Sequence, residues 1–324
     1  MSQLNLDLKP KMDLAARTAA ENEPKKKRRR KKILMGDLIF TIVNTLLLSL
    51  MVVVTLYPIL NTLAVSFNDG LDALRGGIYL IPRTFSLKNY KTVLQMNNLL
   101  IGARNSVLRT AIAAILHLGL TALLAYVLSV KEFVFKKPVS LFYVMTMYVN
   151  AGLIPTFLLF RSLNLTNSFL VYIIPGMIAA FNLLVLRTYM SSLPSSLRES
   201  AQIDGADHLT IFWKIYCPIC KPVFATIALF IAVWQWCSWF DNMIYNRTNS
   251  ELTTLQYELM KLLSSVSSQT SSGSAYGNTT QSVAITPTSI RAAATIVTSM
   301  PIVILYPFLQ RYFVTGLTIG GVKE

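Results

Sequence analysis

Residues 193–222 read LPSSLRESAQIDGADHLTIFWKIYCPICKP and lie between two long apolar stretches. The segment itself is too polar to cross a membrane. Ser196 and Glu199 have the spacing of a capping box at a helix start. Gly205 can end that helix in a left-handed conformation, and Asp207 can cap a second helix. The local signals therefore predict a helix, a turn and a second helix.

The composition is typical of a protein embedded in a lipid bilayer. Hydrophobic residues make up 53% of the 324 residues and charged residues only 14%, unlike an ordinary soluble domain. Stretches almost free of charge and long enough to cross about 30 Å of hydrocarbon are residues 38–67, 110–130, 138–160, 168–186, 222–240 and 292–310. Because these runs are apolar throughout, we expect an all-α, polytopic membrane helix bundle with six transmembrane helices.

The distribution of Lys and Arg predicts the orientation of the chain. If the N-terminus lies inside, 20 of the 30 basic residues fall in inner segments. Positive residues prefer the cytoplasmic side of a membrane. We therefore expect a multi-pass protein of the cell membrane, with both termini and residues 193–222 in the cytoplasm.

Residues 25–32 are a run of eight basic residues directly before the first apolar stretch. In a soluble protein such a run could bind nucleic acid. Beside an apolar span it is more simply an anchor that contacts anionic membrane lipid. We expect the lipid contact and no nucleic-acid partner.

The helix-turn-helix segment resembles the EAA motif of ABC-importer permeases. That motif has the form EAA, three residues, Gly, nine residues, then I-x-L-P. Its positions are matched here by Glu199, Ala201, Gly205, Ile215 and Pro218. The resemblance implies a cytoplasmic coupling loop that docks on a separate ATPase.

The C-terminal residues 305–324 read LYPFLQRYFVTGLTIGGVKE. They resemble the tail of maltose-type carbohydrate permeases, QRxxVxGLTxGxVK. The matching residues include Gln310, Arg311, Gly316, Thr318 and Gly320. The resemblance implies that this tail also contacts the ATPase.

The family resemblance implies the partners and the cargo. The chain would pair with a second permease as a heterodimer and with two cytoplasmic ATPases, and an extracytoplasmic solute-binding protein would deliver an oligosaccharide or polysaccharide fragment. The sequence contains no P-loop GxxxxGK[ST], so it lacks that means of holding nucleotide. We expect a transport subunit without enzyme activity, cofactor or metal of its own, and ATP with Mg bound by the partner ATPase.

Coupling to the ATPase would depend on particular side chains in this loop. Glu199 is expected to reach a basic group on the ATPase. Ile203, Ala206 and Phe212 are expected to supply apolar contact. The remaining motif residues, Ala201, Gly205, Ile215 and Pro218, complete the coupling surface.

Polar and aromatic residues within the apolar stretches are candidates for lining the translocation path. They are Tyr148, Asn150, Asn182, Trp234, Gln235 and Trp236. Such groups are tolerated at membrane depth where they face other helices or a wet cavity. Interhelical packing is the alternative role for each of them.

The predicted domain organisation has three parts. Residues 1–37 form a basic cytoplasmic tail, 38–313 the permease domain, and 314–324 a cytoplasmic tail. Within the permease domain, residues 246–288 form a long outer loop, which the family resemblance makes a surface for the binding protein. Residues 193–222 are its coupling loop.

Two other functions are compatible with a multi-pass protein. An ion-gradient-driven secondary transporter would need ionisable residues within its spans, and the six apolar runs are almost free of Asp, Glu, Lys and Arg. His117 falls inside the second run, where we expect a neutral imidazole with a hydrogen-bond partner. The sequence argues less strongly against a non-transporting membrane scaffold than against a secondary transporter.

Overall fold

A computed structural model describes the backbone of residues 35–271 and 286–316, and the side chains of residues 35–264 and 286–307. Regular structure within these ranges is helical, with an isolated antiparallel bridge between Asn68 and Phe85. The all-α prediction is therefore confirmed for the described residues.

The helices follow one another in the order below. They are α1 (Met35–Ser66), α2 (Gly70–Leu74), α3 (Lys88–Gln95), α4 (Asn97–Ser129), α5 (Lys136–Tyr148), α6 (Leu153–Ser162), α7 (Ala180–Ser191), α8 (Ser195–Ile203), α9 (His208–Ile211), α10 (Cys217–Ile219), α11 (Lys221–Cys237), α12 (Phe240–Tyr245), α13 (Leu255–Ser271) and α14 (Pro287–Gly316). Short 3-10 turns cover Phe169–Tyr172 and Ser250–Leu252, and a π-helical turn covers Phe212–Tyr216.

The chain divides into two compact units, with the boundary between Leu56 and Tyr57. In the first unit, the described residues 35–56 are helical and exposed, and Asp37 is their one charged residue. Apolar side chains exposed at this density match hydrocarbon rather than water. This part of α1 therefore has the character of a membrane span.

Candidate membrane spans are fewer than the six apolar stretches suggest. Among the described residues, three helices are long and apolar enough to cross a bilayer: α1, α4 and the part of α14 from Pro287 to Pro307. Two bent pairs raise the number to five if each pair is one span. The multi-pass character is supported, but helix length alone does not yield six spans.

The third predicted stretch is bent, and the fifth begins directly after a bend. Residues 138–160 form α5 and α6, which meet at an angle of 119°. The helical segment His208–Ile219 meets α11 at 83°. The second bend follows Pro218 and precedes Pro222, and each proline removes a backbone donor from the helix ladder.

The fourth predicted stretch, residues 168–186, is not a continuous helix. The 3-10 turn Phe169–Tyr172 is separated from α7 by irregular backbone. Pro175 cannot continue a helix, and Gly176 has a φ of +75°, which glycine adopts without the steric cost of a Cβ atom. The expectation of a continuous membrane-spanning helix over these residues is therefore wrong, because Pro175 and Gly176 interrupt it.

The predicted helix-turn-helix is present, with one correction at its start. Gly205 has a φ of +81° and ends α8, and the Asp207 carboxylate accepts a hydrogen bond from the Thr210 N–H at 3.1 Å. The capping box is absent, because α8 begins with Pro194 as its N-cap and no side chain caps it. Ser196 lies inside the helix, and Glu199 is exposed.

Helix α4 is central to the second unit. It packs against α7, α11 and α13, and α11 packs in turn against α14. Ala113 and Ala125 of α4 are fully buried, and such small side chains let neighbouring helices approach closely. Gly102 is closer still to α13, since a Cβ atom there would lie 2.9 Å from the Leu255 nitrogen.

This close approach predicts that Gly102→Ala destabilises the protein, by about 1–3 kcal/mol, because the α13 backbone must shift. Gly119→Ala on the same helix is the matched control, since no atom lies within 4 Å of its added Cβ. The measurement is the thermal unfolding midpoint of the purified full-length protein. Equal midpoints for the two variants would contradict this account of the contact.

Candidate functional site

Helix α4 carries two groups of functional candidates, one near its middle and one near its C-terminal end. Arg109 belongs to a buried polar network, and Tyr126 contacts the helix-turn-helix segment. Helical geometry places these two residues roughly 25 Å apart along the axis. One rigid element therefore reaches both places.

The polar network is centred on the Arg109 side chain, which is 2% exposed. Its Nε and Nη2 donate to the Gln235 Oε1 at 2.9 and 2.6 Å. Nη2 also donates to the Asp241 Oδ2 at 2.5 Å, and Nη1 donates to the Asp241 Oδ1 at 3.3 Å and the Ser238 carbonyl at 3.5 Å. A guanidinium has five N–H donors, and all five have acceptors within the chain.

Tyr172 joins a third segment to this network. The Arg109 Cζ lies 4.5 Å from the centroid of the Tyr172 ring, a cation–π arrangement. The Gln235 Nε2 donates to the Tyr172 carbonyl at 3.2 Å, and the Tyr172 hydroxyl donates to the Leu252 carbonyl at 2.7 Å. The network thus ties α4, α11 and the 3-10 turn together.

Neither Arg109 nor its pairing with Asp241 was predicted from the sequence. The second apolar stretch began at Thr110, because a search for charge-free runs stops at a charged residue. A usable signal was present in the helical period of α4. Its buried residues recur every three or four positions and include Gly102, Asn105, Ser106, Arg109, Ala113 and His117.

A cavity of about 980 Å³ lies beside the network. Asp241 lines it, and 22% of its side chain is exposed. Most of the other lining side chains are apolar or aromatic, and the rings include Phe160, Trp234, Trp239, Phe240, Tyr245 and Tyr306. The cavity therefore combines broad aromatic surface with a few polar groups, as ligand sites do.

A second cavity of about 600 Å³ adjoins the first. Both are lined by Trp234 and Gln235, together with Pro175 and Phe230. His117 also lines the second cavity, and its Nε2 lies 2.8 Å from the Ile173 carbonyl. This is the hydrogen-bond partner that the sequence predicted for the imidazole.

The candidates for the translocation path separate into groups. Trp234 and Gln235 line both cavities, and Asn182 lines the second. Trp236 does not line either: it is buried, and its Nε1 donates to the Thr298 carbonyl at 2.9 Å. Its observed role is packing, because the helical period turns it away from the face that carries Trp234.

Two further candidates, Tyr148 and Asn150, are exposed and line neither of these cavities. The Asn150 Oδ1 accepts a hydrogen bond from the Gly152 N–H at 2.9 Å, within the break between α5 and α6. The structure therefore places both residues apart from the cavities that hold Trp234.

The loop that follows α4 is connected to the helix-turn-helix segment by an ion pair. Arg198 of α8 is buried, and its Nη2 donates to the Glu132 Oε1 at 2.8 Å. A hydrogen bond to its own backbone N–H and the adjacent Arg198 lower the pKa of Glu132 below its usual value. The pair is therefore complete at neutral pH and is lost as the pH falls through that lowered pKa.

Aromatic contacts reinforce this connection. The Tyr126 hydroxyl lies 3.3 Å from the His208 Nδ1. Its ring centroid lies 5.4 Å from that of Phe212 and 4.9 Å from that of Tyr216. Phe212 is only 2% exposed, so its ring packs inside the chain and is not part of the outer surface that was expected to include it.

The outer surface of the segment is apolar around an exposed carboxylate. Ile203 is 86% exposed, Leu209 61% and Trp213 63%, and Glu199 is also exposed. We call Glu199, Ile203, Leu209 and Trp213 the coupling surface. The other predicted coupling residues are partly buried (Ala201, Ala206 and Ile215) or exposed (Gly205 and Pro218).

The predicted C-terminal contact lies mostly beyond what the structure describes. The helical backbone of α14 includes Gln310, Arg311 and Gly316, but their side chains are outside the described residues. Thr318 and Gly320 are outside the described residues altogether, as are residues 1–34.

Comparison with known proteins places the chain in a family. Residues 118–319 match the family described as "Binding-protein-dependent transport system inner membrane component". The chain is similar to the polygalacturonan/rhamnogalacturonan transport system permease protein YtcP of Bacillus subtilis (strain 168), with 34% identity over 266 residues, 82% of this chain and 92% of that protein. It is also similar to the arabinooligosaccharides transport system permease protein AraQ of Halalkalibacterium halodurans, with 30% identity over 278 residues, 83% and 92% of the two chains.

A solved structure agrees with these relatives. The fold matches a chain from the crystal structure of a bacterial ABC transporter involved in the import of the acidic polysaccharide alginate. The TM-score is 0.77 with 28% identity, covering 86% of this chain and 98% of that chain. The chain therefore belongs to the family of binding-protein-dependent transport system inner membrane components, the permease subunits of ABC importers.

Proposed function

We propose that this chain forms half of the path by which an oligosaccharide or polysaccharide fragment enters the cell, and that a partner ATPase drives the transport. The observation that carries this proposal is that α4 contacts both the aromatic cavity, through Arg109 near its middle, and the helix-turn-helix segment, through Tyr126 near its C-terminal end. The relatives named above, each named for transport of a saccharide, support the class of cargo.

The lining of the larger cavity suits a saccharide. Sugar rings have apolar C–H faces and polar edges, so they match aromatic surface flanked by a few hydrogen-bonding groups. Trp234 is 75% exposed and lines both cavities. In this proposal its ring is a stacking surface along which sugar units pass from one cavity to the other.

The proposed topology has six spans with both termini in the cytoplasm. The broken segment containing Pro175 and Gly176 serves as the fourth span. Irregular backbone at membrane depth is tolerated where it lines a cavity, and these two residues line the smaller cavity. The Lys and Arg distribution supports the orientation, which places the coupling surface inside the cell.

The coupling surface docks on the ATPase in this mechanism. Ile203, Leu209 and Trp213 supply apolar contact, and Glu199 pairs with a basic group of the ATPase. ATP and Mg are bound by that partner, whose closure displaces α8. The Arg198–Glu132 pair passes the displacement to α4, so that outward and inward openings of the cavities alternate. The C-terminal tail after Gly316 is proposed as a second ATPase contact.

The remaining partners follow from the same proposal. A second permease completes the path as a heterodimer, and a second ATPase completes the motor. Residues 246–288 face an extracytoplasmic binding protein that delivers the saccharide. The family description, which specifies dependence on a binding protein, supports this last partner.

The buried Arg109–Asp241 pair raises the alternative of an ion-gradient-driven transporter, because ionisable groups at membrane depth often mark ion pathways. Arg109, however, has every donor occupied within the chain. In proteoliposomes containing the complete complex, we expect saccharide uptake to require ATP and to persist when an ionophore collapses the ion gradients. Uptake that ignores ATP and stops with the ionophore would establish the alternative.

The turn at Gly205 tests the coupling role. Gly205→Pro should lower ATP-driven uptake at least about tenfold, because proline cannot adopt the observed positive φ. Gly205→Asn is the matched control, since asparagine tolerates the left-handed region. Uptake is measured in proteoliposomes with the cognate ATPase, at equal permease content. Normal uptake by Gly205→Pro would contradict the assignment of this segment to coupling.

The ion pair between α8 and the loop after α4 offers a second test. Arg198→Gln should lower the saccharide transported per ATP hydrolysed about two- to fivefold, because the buried guanidinium loses an ion pair with Glu132, which is 68% exposed. Lys214→Gln, at an exposed cation in the same segment, should leave the ratio unchanged.

Exchanging the charges of Glu132 and Arg198 distinguishes a loss of coupling from a loss of folding. The double variant Glu132→Arg with Arg198→Glu should recover part of the ratio that either reversal alone removes. If the double variant is no better than the worse single variant, the pair does not transmit the displacement.

A further inference from the structure

We infer that the larger cavity contains a subsite for an uncharged sugar unit, and that Asp241 is the residue that selects it over a uronate unit. This inference rests on the proposed function. It assigns a chemical preference to one place in the path: hydroxyl groups are accepted beside Asp241, and carboxylate groups are rejected there.

The first step concerns the donors available to a ligand. A sugar carboxylate in a protein site is usually held by a guanidinium or ammonium group. Arg109 is the positively charged residue among those that line the cavity in the described part of the chain. Its five N–H groups are directed to Gln235, Asp241 and the Ser238 carbonyl. The arginine therefore offers no donor to a uronate.

The second step concerns the acceptor that faces the cavity. The Asp241 Oδ1 accepts from Arg109 and from the Asn242 N–H at 2.9 Å, and Oδ2 accepts from Arg109. An ionised carboxylate has about four lone-pair sites and no donor. One site remains on Oδ2, and the side chain is partly exposed in the cavity wall. A hydroxyl group can donate to it, whereas a carboxylate cannot.

The third step concerns charge. Arg109 and Asp241 neutralise each other, and they are the charged residues among the described lining of the cavity. The wall therefore has no excess positive charge to attract an anion, and the more exposed member of the pair is negative. A carboxylate beside Asp241 would lose hydration and meet a like charge. A neutral unit meets neither penalty.

The aromatic rings of the cavity provide the surface on which the sugar unit stacks. Trp239 and Phe240 directly precede Asp241, and both line the cavity. Their ring centroids are 5.8 Å apart in an edge arrangement. A sugar ring stacked on this aromatic surface lies in the same cavity as the Asp241 carboxylate. Stacking and the hydroxyl contact then favour the same neutral unit.

The test uses three probes of one length: galactotriose, trigalacturonate, and trigalacturonate methyl ester. The ester removes the charge and keeps the carbon skeleton. Binding to the complete purified transporter, without the binding protein, is measured by titration calorimetry. The wild-type transporter should bind galactotriose and the ester at least about tenfold more tightly than trigalacturonate. Equal or tighter binding of trigalacturonate would overturn the inference.

Variants of Asp241 test whether this residue causes the preference for the ester over the acid. Asp241→Asn should reduce the difference between ester and acid to about threefold or less, and Asp241→Glu should retain it. Asp72→Asn is the control, because Asp72 lies in α2 and pairs with Arg83 outside the cavity. If Asp241→Asn keeps the wild-type difference in affinity between the ester and the acid, Asp241 is not the residue that selects the sugar unit.

A double variant distinguishes loss of the preference for the ester from loss of folding. Arg109→Gln with Asp241→Asn removes both charges and should also lose the preference for the ester; a preserved preference would overturn the inference. ATP-driven uptake of any saccharide, charged or neutral, keeps the proposed function intact whichever probe binds better. Absence of ATP-driven uptake for every saccharide would contradict the proposed function itself.

Discussion

A guanidinium buried in an apolar helix bundle has to be fully paired, and this constraint organises the second unit. Leaving the charge of Arg109 unpaired would be strongly unfavourable. Its partners come from α11 and the residues after it, and Tyr172 covers it from the 3-10 turn. Satisfying one side chain therefore fixes three segments around the larger cavity. The same contacts leave Asp241 partly exposed in the cavity wall, where a passing ligand meets its carboxylate.

The C-terminal end of α4 is fixed by a different set of interactions. Tyr126 packs against Phe212 and Tyr216, and Glu132 in the loop after the helix pairs with Arg198. Between Arg109 and Tyr126 α4 is an uninterrupted helix. A helix held at both of these places moves as one body, so a displacement of α8 is transmitted to the cavity. Coupling in this account needs no chain of side-chain rearrangements through the membrane.

Part of the local chemistry was predictable from the sequence, and long-range pairing was not. The left-handed Gly205 and the Asp207 cap depend on neighbouring residues alone, and both were predicted, whereas the capping box was wrong because the helix begins at Pro194. Arg109 and Asp241 lie far apart in sequence, and their pairing was not predicted. Trp236 was selected for its residue type, but the helical period turns it into the core. The apolar stretches were defined by composition, which does not show where single prolines and glycines interrupt a helix.

The central claim is that α8 and α4 move as one body when the ATPase closes. It is tested by the distance between nitroxide labels at Leu197 of α8 and Val107 of α4, both exposed and both outside the coupling surface. The distance is measured by pulsed electron paramagnetic resonance in a variant without the three native cysteines. The account predicts that ATP binding to the complete complex changes this distance by less than about 2 Å, the scale of small shifts between packed helices. A change of about 5 Å, one helical turn, would contradict it.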